Sequence, residues 1–396
     1  MRIRITGLFI ICMMIIFISI NISGCNQTPT HQAEILFITK DQSDTRSLNP
    51  TRMEVAAAMA LESCRNENKE AKNIHHHFIR YTGDEEEGYH KAKAYLESNQ
   101  SVVALVGDFN SVGTEYVARL AEEFQLPHLS FFATDIRIFE EHPQSYSYRS
   151  QMSHETTDLI AMASYRLNKP YKLNKLDKSK VAVLYNDLSN IEARWLEFES
   201  LAPAHGIQVV EKRQVSREER DFRPVLAAYK ELEQDVDSII LFLSSGQLEH
   251  FLQQANREEI ATPIIASPVT FSPETATELP RLNMPFYSTV QEIYMNLQQG
   301  EDEMLEGFAN AYRVYVGYHQ MDGLGPWIYD GVRLIHELTL QKRRPMEIKE
   351  ALDQYHEKRM IGQLSFDKNG LIKESTYVKV FIEDGCLKEI KDEENH

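Results

Sequence analysis

Cysteine is scarce in this chain, with four residues among 396. Cys12 lies in an apolar stretch at the amino terminus, Cys25 follows that stretch, and Cys64 and Cys386 stand far apart. This is not the dense cysteine framework that stabilises small secreted domains. We therefore predict that Cys64 and Cys386 are free thiols and that a hydrophobic core holds the fold together.

Basic residues are too few to balance the acidic ones. The chain contains 42 Lys and Arg residues against 59 Asp and Glu residues, which gives a formal net charge of -17 at pH 7. A surface with this charge repels phosphate groups. The composition therefore argues against a nucleic-acid partner.

Familiar catalytic and cofactor motifs are also absent from the sequence. It contains no GxGxxG, Walker, HExxH or GxSxG pattern, and no carboxylate pair stands out for acid–base chemistry. The run His75, His76 and His77 raises the question of a metal site. However, alternating strand residues point to opposite faces, and neither a Cys nor an acid lies at ligand spacing. We expect no enzymatic activity, no cofactor and no metal.

One long apolar run is present, at residues 8–20, with basic residues before it and small residues between it and Cys25. This arrangement resembles the lipobox of bacterial lipoproteins, which implies a signal peptide at residues 1–24 and a lipid on the Cys25 thiol. An uncleaved membrane anchor is the alternative, although the run is short against the roughly 20 residues of a spanning helix. We expect residues 25–32 to form a polar tether outside the cytoplasmic membrane.

Beyond the tether, strand-like apolar runs alternate with helix-like segments. A first series covers residues 33–135, and a second begins near Tyr146 and continues to residue 266. Alternating strand–helix units predict parallel sheets with helices on both faces. Two such series predict an α/β protein of two doubly wound lobes, which suits the length of the chain.

The most informative stretch is residues 102–135, where polar loops follow two predicted strands at residues 102–106 and 128–132. In an open parallel sheet such loops face a crevice where ligands bind. The free amide hydrogens at a helix start favour an anion there. We place a carboxylate site on the hydroxyls of Ser111 and Thr134, beside the loop residues Asn110 and Ala133. The alternative is a structural βαβ unit in which Ser111 is an ordinary N-cap.

The order of the segments resembles the type I periplasmic binding proteins, and among them the branched-chain amino acid binding proteins of ABC transporters. The resemblance covers nearly the whole chain after the tether and rests on short matches that keep the family's order. These are Val106-Gly107 before Ser111, Leu129-Ser130 before Ala133-Thr134, and residues 146–149, 181–185, 239–242, 254–255, 329–331, 361–362 and 366–370.

The resemblance implies two lobes joined by three crossings of the chain. Lobe 1 is expected from residues 33–149 and 287–361, and lobe 2 from residues 150–286. Residues 362–396 are expected to form a hairpin and tail at the hinge or in lobe 2. The three crossings imply a hinge that closes the lobes over a ligand.

The resemblance also assigns roles to single residues. Ser111 and Thr134 correspond to the residues that hold the substrate carboxylate in the amino-acid binders. Where those binders have a further small residue between them, this chain has Phe132, whose backbone is still able to serve. In the second lobe, the aromatic residues that cover the ligand fall near Asn190 and Ser244, which are polar here. This difference leaves open which second-lobe side chains contact the ligand.

The family's acidic partner for the substrate ammonium falls near Pro268. A buried ammonium without a counter-charge is costly, which argues against a free branched-chain amino acid unless Asp187 or Asp330 supplies the charge. We read the chain as a lipid-anchored solute-binding protein that delivers an amino acid or related small carboxylate to an ABC permease. The alternatives are a non-transporting lipoprotein that senses a ligand or regulates envelope proteins, and an enzyme built on two such lobes.

Overall fold

A computed structural model of the chain describes residues 32–40, 50–108, 111–131, 133, 135–150, 152–164, 179–267, 282–299, 303–316, 325–374, 377–383 and 386–390. Within these ranges, two β-sheets and a separate two-stranded hairpin organise the chain. Helices cover both faces of each sheet.

The first sheet has six strands, and all its pairings are parallel. The strands are β1 (Glu34–Lys40), β2 (His75–Tyr81), β3 (Val102–Val106), β4 (His128–Ser130), β5 (Ser145–Ser150) and β13 (Leu371–Ile372). Their order across the sheet is β13-β5-β4-β3-β1-β2. The chain therefore winds outward in both directions from the gap between β1 and β3. In sheets of this kind, ligands bind outside the carboxyl ends of the strands at that gap.

The second sheet repeats this arrangement with seven strands in the order β15-β14-β10-β9-β8-β6-β7. They are β6 (Ser179–Asn186), β7 (Ile207–Val215), β8 (Ser238–Phe242), β9 (Ile264–Ala266), β10 (Phe286–Gln291), β14 (Tyr377–Glu383) and β15 (Cys386–Glu389). Strand β14 pairs antiparallel with both of its neighbours, and the other pairings are parallel. The point where the winding reverses lies between β6 and β8. The separate hairpin is β11 (His356–Arg359) with β12 (Gly362–Ser365).

The helices of the first lobe are α1 (Pro50–Glu67), α2 (Glu85–Ser98), α3 (Ser111–Phe124), α4 (Arg137–Glu141), α10 (Glu303–Val316), α11 (Gly325–Lys342) and α12 (Pro345–Asp353). Those that pack on the second sheet are α5 (Met152–Ser164), α6 (Ser189–Leu201), α7 (Arg223–Glu231) and α8 (Ser245–Arg257), and α9 (Glu292–Gln299) follows β10. Short 3-10 helices occur at Lys69–Asn73 and Ala202–His205. No helix in these ranges is long and apolar enough to cross a membrane.

Separate apolar clusters fix each sheet between its helices. On the first sheet, α1, α10, α11 and α12 cover one face, and α2 and α3 cover the other. On the second sheet, α7 and α8 cover one face, and α5 and α6 cover the other. Strands β3 and β8 are buried along their whole length, which explains their continuous apolar sequences. The predicted fold class, two doubly wound lobes, is confirmed.

Two of the predicted lobe boundaries need correction. Strand β10 pairs with β9 and β14, so residues 287–291 lie in the second sheet and not in lobe 1. Strand β13 pairs with β5, which returns part of the predicted tail to the first sheet. The chain still passes between the sheets three times, after β5, after β10 and after β13.

The predicted turn before β13 is present. The Asp367 carboxylate accepts hydrogen bonds from the amides of Asn369 (2.8 Å) and Leu371 (2.9 Å), and Gly370 has a φ of +75°. Such a positive φ is easiest for glycine, which explains the residue at this position. The turn bends the chain into the first sheet.

The cysteine and histidine predictions can also be compared with the structure. Cys64 and Cys386 are both free thiols, buried and exposed respectively, as predicted. In β2, His75 and His77 are exposed, and His76 between them is partly buried and stacks on His336. Over the ranges given above, no three His, Cys, Asp or Glu side chains converge in a way that would hold a metal ion.

Candidate functional site

The loops after β3 and β4 meet at the carboxyl edge of the first sheet. Ser111 is the first residue of α3, and its hydroxyl accepts a hydrogen bond from the backbone amide of Asp135 (3.3 Å). Ala133, two residues before Asp135, is buried. The structure thus brings Ser111 and the Ala133 segment together, as expected of neighbouring parallel strands. The other residues predicted for this site, Asn110, Phe132 and Thr134, lie outside the described residues.

A buried polar network supports the loop between β3 and α3, which leads to Ser111. The carboxylate of Asp108, which is 1% exposed, accepts a hydrogen bond from the Tyr81 hydroxyl. Burial, and next the negative charge of Asp108, raises the pKa of Tyr81 far above its usual range. The Thr114 hydroxyl donates to the Asp108 carbonyl (3.1 Å), which ties the first turns of α3 to the same loop. The Asp108 side chain is therefore buried in the lobe and already hydrogen-bonded there.

His128 holds the neighbouring strand ends together. One ring nitrogen, Nε2, bonds to the Gly107 carbonyl, and the other, Nδ1, lies 2.9 Å from the Ser145 hydroxyl. A carbonyl can only accept, so Nε2 carries the proton and Nδ1 accepts from Ser145. Burial lowers the pKa of His128 to about 4. The ring is thus neutral near pH 7, and its two hydrogen bonds connect β4 with β3 and β5.

A second polar network lies at the carboxyl edge of the second sheet, where β6 and β8 end. The Gln247 side-chain oxygen accepts from the Asn186 amide (2.8 Å) and from the Ser244 hydroxyl (3.2 Å). Its amide nitrogen donates to the carbonyls of Ser216 (2.9 Å) and Glu219 (3.3 Å) in the loop after β7. Asn186 and Gln247 are fully buried. One glutamine therefore links three strand ends.

The predicted second-lobe residues are placed around this network. Ser244 directly precedes α8, and its hydroxyl bonds within the lobe as described above. Asp187 is exposed, and its carboxylate accepts from the Arg217 amide (2.8 Å), which fastens the loop after β7. Asn190 lies in the first turn of α6, and its side chain is outside the described part of the structure. The structure thus gathers the three predicted residues at one sheet edge.

The suggestion that Asp330 supplies a charge to the ligand is wrong. Asp330 is 3% exposed, its carboxylate receives hydrogen bonds from Arg359 (3.1 Å) and Tyr148 (2.6 Å), and Arg359 also contacts Glu337 (2.8 Å). Burial raises the pKa of Tyr148 well above its usual value. This buried ion pair links α11, β5 and β11, so Asp330 has a structural role.

A small apolar pocket of about 20 Å³ lies between α1, α11 and the first sheet. Its walls include Phe37, Phe78, Val106, Phe131 and Ile328. This pocket was not predicted, because six separate segments form its wall. Gln247 was not predicted either, although Ser244 and Gln247 have the spacing of a helix capping box, which a sequence can reveal.

Comparisons with known proteins agree with this architecture. A family model described as the receptor family ligand binding region matches residues 52–337. The model describes a binding region, in agreement with the prediction that the chain is not an enzyme. Among curated proteins, none matches this chain.

Solved structures show the same fold at low sequence identity. An ABC transporter substrate-binding protein from Desulfitobacterium hafniense, in complex with Leu, is 18% identical, with 90% of this chain and 100% of that chain covered and a TM-score of 0.65. A branched-chain amino acid transporter substrate-binding protein from Streptococcus pneumoniae, in complex with isoleucine, is 16% identical (91% and 100% covered, TM-score 0.62). A solute-binding protein of an ABC transporter from Rhodopseudomonas palustris, in complex with 3,4-dihydroxybenzoic acid, is 16% identical (91% and 96% covered, TM-score 0.66).

Proposed function

Because the chain belongs to the receptor ligand-binding-region family and has the type I periplasmic binding protein fold, we propose that it is a lipid-anchored extracytoplasmic solute-binding protein. It captures a small carboxylate-bearing ligand, an amino acid or a related compound, between its two lobes and delivers it to an ABC permease. The observation that carries this proposal is the Ser111 hydroxyl at the start of α3, beside the loop that follows β4.

The ligand carboxylate docks at this helix start in the proposed mechanism. Ser111 and Thr134 donate hydrogen bonds to it, and the amide hydrogens of the first turn of α3 add a partial positive charge. The bound solved structures support a carboxylate-bearing ligand, since Leu, isoleucine and 3,4-dihydroxybenzoic acid all carry a carboxyl group. The buried network beneath Ser111 supports a preformed site, because it holds the loop before any ligand arrives.

Hinge closure completes the site. The second lobe swings over the ligand and brings the segment of Asp187 and Asn190, together with Ser244, toward it. The ligand favours the closed form by its additional contacts with that lobe, and the permease recognises the closed form. Helix α9 supports a hinge role, since Ile293 packs in the first-lobe core and Met295 in the second-lobe core.

A second candidate function is that of a non-transporting lipoprotein that senses the same class of ligand. The observation that favours it is the polar second-lobe edge, where Ser244 bonds to Gln247 and Asp187 to the Arg217 amide. Because these polar groups already bond within the lobe, fewer of them remain to bind a ligand. A permease gene beside the gene for this chain supports transport, and uptake that is unchanged by deletion of the chain supports the sensor.

The test of ligand capture is a thermal-shift screen of the purified full chain against amino acids, short peptides, amides and small carboxylates. A ligand at a hundredfold excess over its dissociation constant stabilises the folded state by about 2.7 kcal/mol. Replacing Ser111→Ala removes a hydrogen bond to a charged group, worth about 1.5–3 kcal/mol, which weakens binding roughly ten- to a hundredfold.

Ser98→Ala is the matched control, because Ser98 is an exposed helical serine of the same lobe whose hydroxyl bonds to the backbone of its own helix. Equal effects of the two substitutions, or no stabilisation by any compound, count against the proposed site.

A further inference from the structure

The amino edge of the first sheet, opposite the edge that holds Ser111, carries a group of exposed cations. The 3-10 helix at Lys69–Asn73 leads into β2 there, and α11 ends beside it. Both segments line a cavity of about 140 Å³, and the Arg343 and Glu70 side chains on its two sides are 3.9 Å apart. Together the segments expose five basic side chains, which we call the basic pole: Lys69, Lys72, Lys342, Arg343 and Arg344.

The carboxylates within the basic pole do not neutralise it. Glu70 lies 3.9 Å from Arg343, and Glu347 lies 3.9 Å from Arg344. An exposed pair at this separation contributes little, so both guanidinium groups can also bind another anion. Glu67, just before the 3-10 helix, is bound by a guanidinium of α11 at 2.7 Å. The basic pole therefore has an excess of positive charge, although the formal net charge of the chain is -17.

Two further features of the basic pole are unusual for a solvated surface. Arg343, whose amide bonds to the Thr339 carbonyl (3.0 Å) at the end of α11, has a φ of +60°. Glycine is the usual residue in this conformation at a helix end, and any side chain there adds strain. Met346, two residues after Arg344, is 52% exposed. Cations around an exposed apolar side chain are typical of surfaces that contact a bilayer.

The corresponding edge of the second sheet has the opposite charge. The loops that lead into β8 and β9 lie there, and three cations, Lys180, Lys230 and Arg257, stand among more numerous acids. A negatively charged surface therefore attracts the amino edge of the first lobe and repels that of the second. We call the second edge the acidic pole, after its carboxylates: Glu231, Glu233, Asp235, Asp237, Glu258 and Glu259.

The basic pole is also the place where the chain arrives from its amino terminus. Gln32 lines the cavity beside Arg343, and its side chain contacts the His75 ring. Seven residue steps separate Gln32 from Cys25, and they span at most about 25 Å. A lipid on Cys25 thus keeps the basic pole close to the bilayer at a high effective concentration, at which even a weak contact is populated.

We propose that the basic pole binds the anionic phospholipid headgroups of the membrane that anchors the chain. This inference rests on the lipid anchor at Cys25 in the proposed function. The attraction is that of Lys and Arg side chains for a negatively charged bilayer surface, and salt screens it. Lobe 1 then stands on the membrane by its amino edge. The opposite edge, with Ser111, faces away from the bilayer and stays accessible to a solute.

Lysine acetylation followed by mass spectrometry tests this contact on the purified full chain. Vesicles of phosphatidylcholine alone are compared with vesicles that also contain phosphatidylglycerol. We expect Lys69, Lys72 and Lys342 to react about threefold more slowly on the anionic vesicles. Salt at about 1 M, where the Debye length is about 3 Å, should remove the difference. Lys180 and Lys230 of the acidic pole are internal controls and should react equally on both.

Equal reaction rates of the three lysines on the two kinds of vesicle overturn the inference. Another occupant would give a different result. Slower reaction without vesicles that depends on the protein concentration would assign the basic pole to the acidic pole of a second copy, and this outcome also overturns the inference.

Charge variants provide an independent test. Replacing Lys342→Gln, Arg343→Gly and Arg344→Gln together removes three exposed charges, and the glycine suits the positive φ of residue 343. We expect this variant to lose the protection of Lys69 and Lys72. Unchanged protection overturns the inference. The matched control removes three exposed charges from the acidic pole and should keep the protection: Lys180→Gln, Lys230→Gln and Arg257→Gln.

A single substitution of opposite sign completes the set. Glu70→Gln removes a carboxylate beside Arg343, so the lysines of the basic pole should be protected more strongly than in the original chain. Weaker protection would contradict an electrostatic contact.

Flotation with the same vesicles separates this inference from the proposed anchor. A chain that floats with phosphatidylcholine vesicles, but whose lysines are not protected on anionic ones, keeps the anchor and overturns the inference. A chain that floats with neither kind of vesicle overturns both.

Discussion

The buried ion pair between Asp330 and Arg359 should dominate the stability of the first lobe. Asp330→Ala removes the acceptor of both Arg359 and Tyr148. Breaking a buried pair from one side generally costs about 3–5 kcal/mol, because the remaining charge stays buried. Here Arg359 keeps Glu337 at 2.8 Å and the Asp330 carbonyl at 3.2 Å. We therefore expect Asp330→Ala to lower the free energy of unfolding by about 3 kcal/mol, at the lower end of the range.

Two milder substitutions provide a graded comparison. Tyr148→Phe removes one hydrogen bond to a carboxylate and leaves the ion pair, so a loss of about 1.5 kcal/mol is expected. Glu337→Gln affects a carboxylate that is 35% exposed, where solvent screens the charge, so the loss should stay below about 1 kcal/mol. The ranking Asp330, Tyr148, Glu337 follows from what each substitution removes: the partner of a buried charge, one buried hydrogen bond, and a charge that solvent already screens.

Urea unfolding followed by tryptophan fluorescence measures these losses. Trp327 lies 6.2 Å from the Tyr148 ring and reports the first lobe, while Trp195 lies in the core of the second. A loss of unfolding free energy for Asp330→Ala no larger than that for Glu337→Gln would refute this ranking, because the ion pair would then behave as a solvated surface contact.

Three further predictions concern other parts of the chain. Gln247→Glu keeps the shape of the side chain but removes the amide donor to Ser216 and Glu219. We expect the free energy of unfolding to fall by about 1–3 kcal/mol and hydrogen exchange to become faster in the loop after β7. Unchanged exchange would contradict the linking role of Gln247. His128 has a folded pKa of about 4, below its unfolded value near 6.5, so the unfolded state binds the additional proton between these pH values. The neutral His128 ring therefore contributes about 3 kcal/mol of stability above pH 6.5, and this contribution is lost toward pH 4. His128→Gln should flatten the pH dependence of the urea midpoint. An unaltered pH dependence would argue against the neutral buried ring. Cys25→Ser should abolish labelling with radioactive palmitate, and labelling that persists in this variant would contradict a lipid on the Cys25 thiol.

The sequence predicted the secondary structure best where burial decides it. Strand β3 was predicted at its observed bounds, since five consecutive apolar residues fit a strand buried on both faces. Helix α12 was missed, although Pro345 at its first turn is a known helix-start signal. Strand β10 was assigned to the wrong lobe because only its pairing with β9 and β14 reveals its sheet.

The site was predictable only in part, for a related reason. The position of Ser111 beside the loop after β4 was predictable because it depends on local order, namely a strand, a loop and a helix start. The role of Asp330 depends on Arg359, which lies 29 residues later in a different element. The apolar pocket likewise combines residues from β1, α1, β2, β3 and α11 with Phe131 after β4. Contacts between segments that are distant in the chain leave little trace in a single sequence.

The last passage between the sheets sets a limit on how far the lobes can move apart. Strand β13 ends at Ile372 in the first sheet, and β14 begins at Tyr377 in the second. Five residue steps span about 17 Å when fully extended. The first passage is shorter still, from Ser150 to Met152, and the second runs through α9, whose Ile293 and Met295 pack in the cores of the two lobes. Such links side by side permit rotation but resist separation, so we expect any movement of the lobes to be a tilt about these links, with little change in their spacing there.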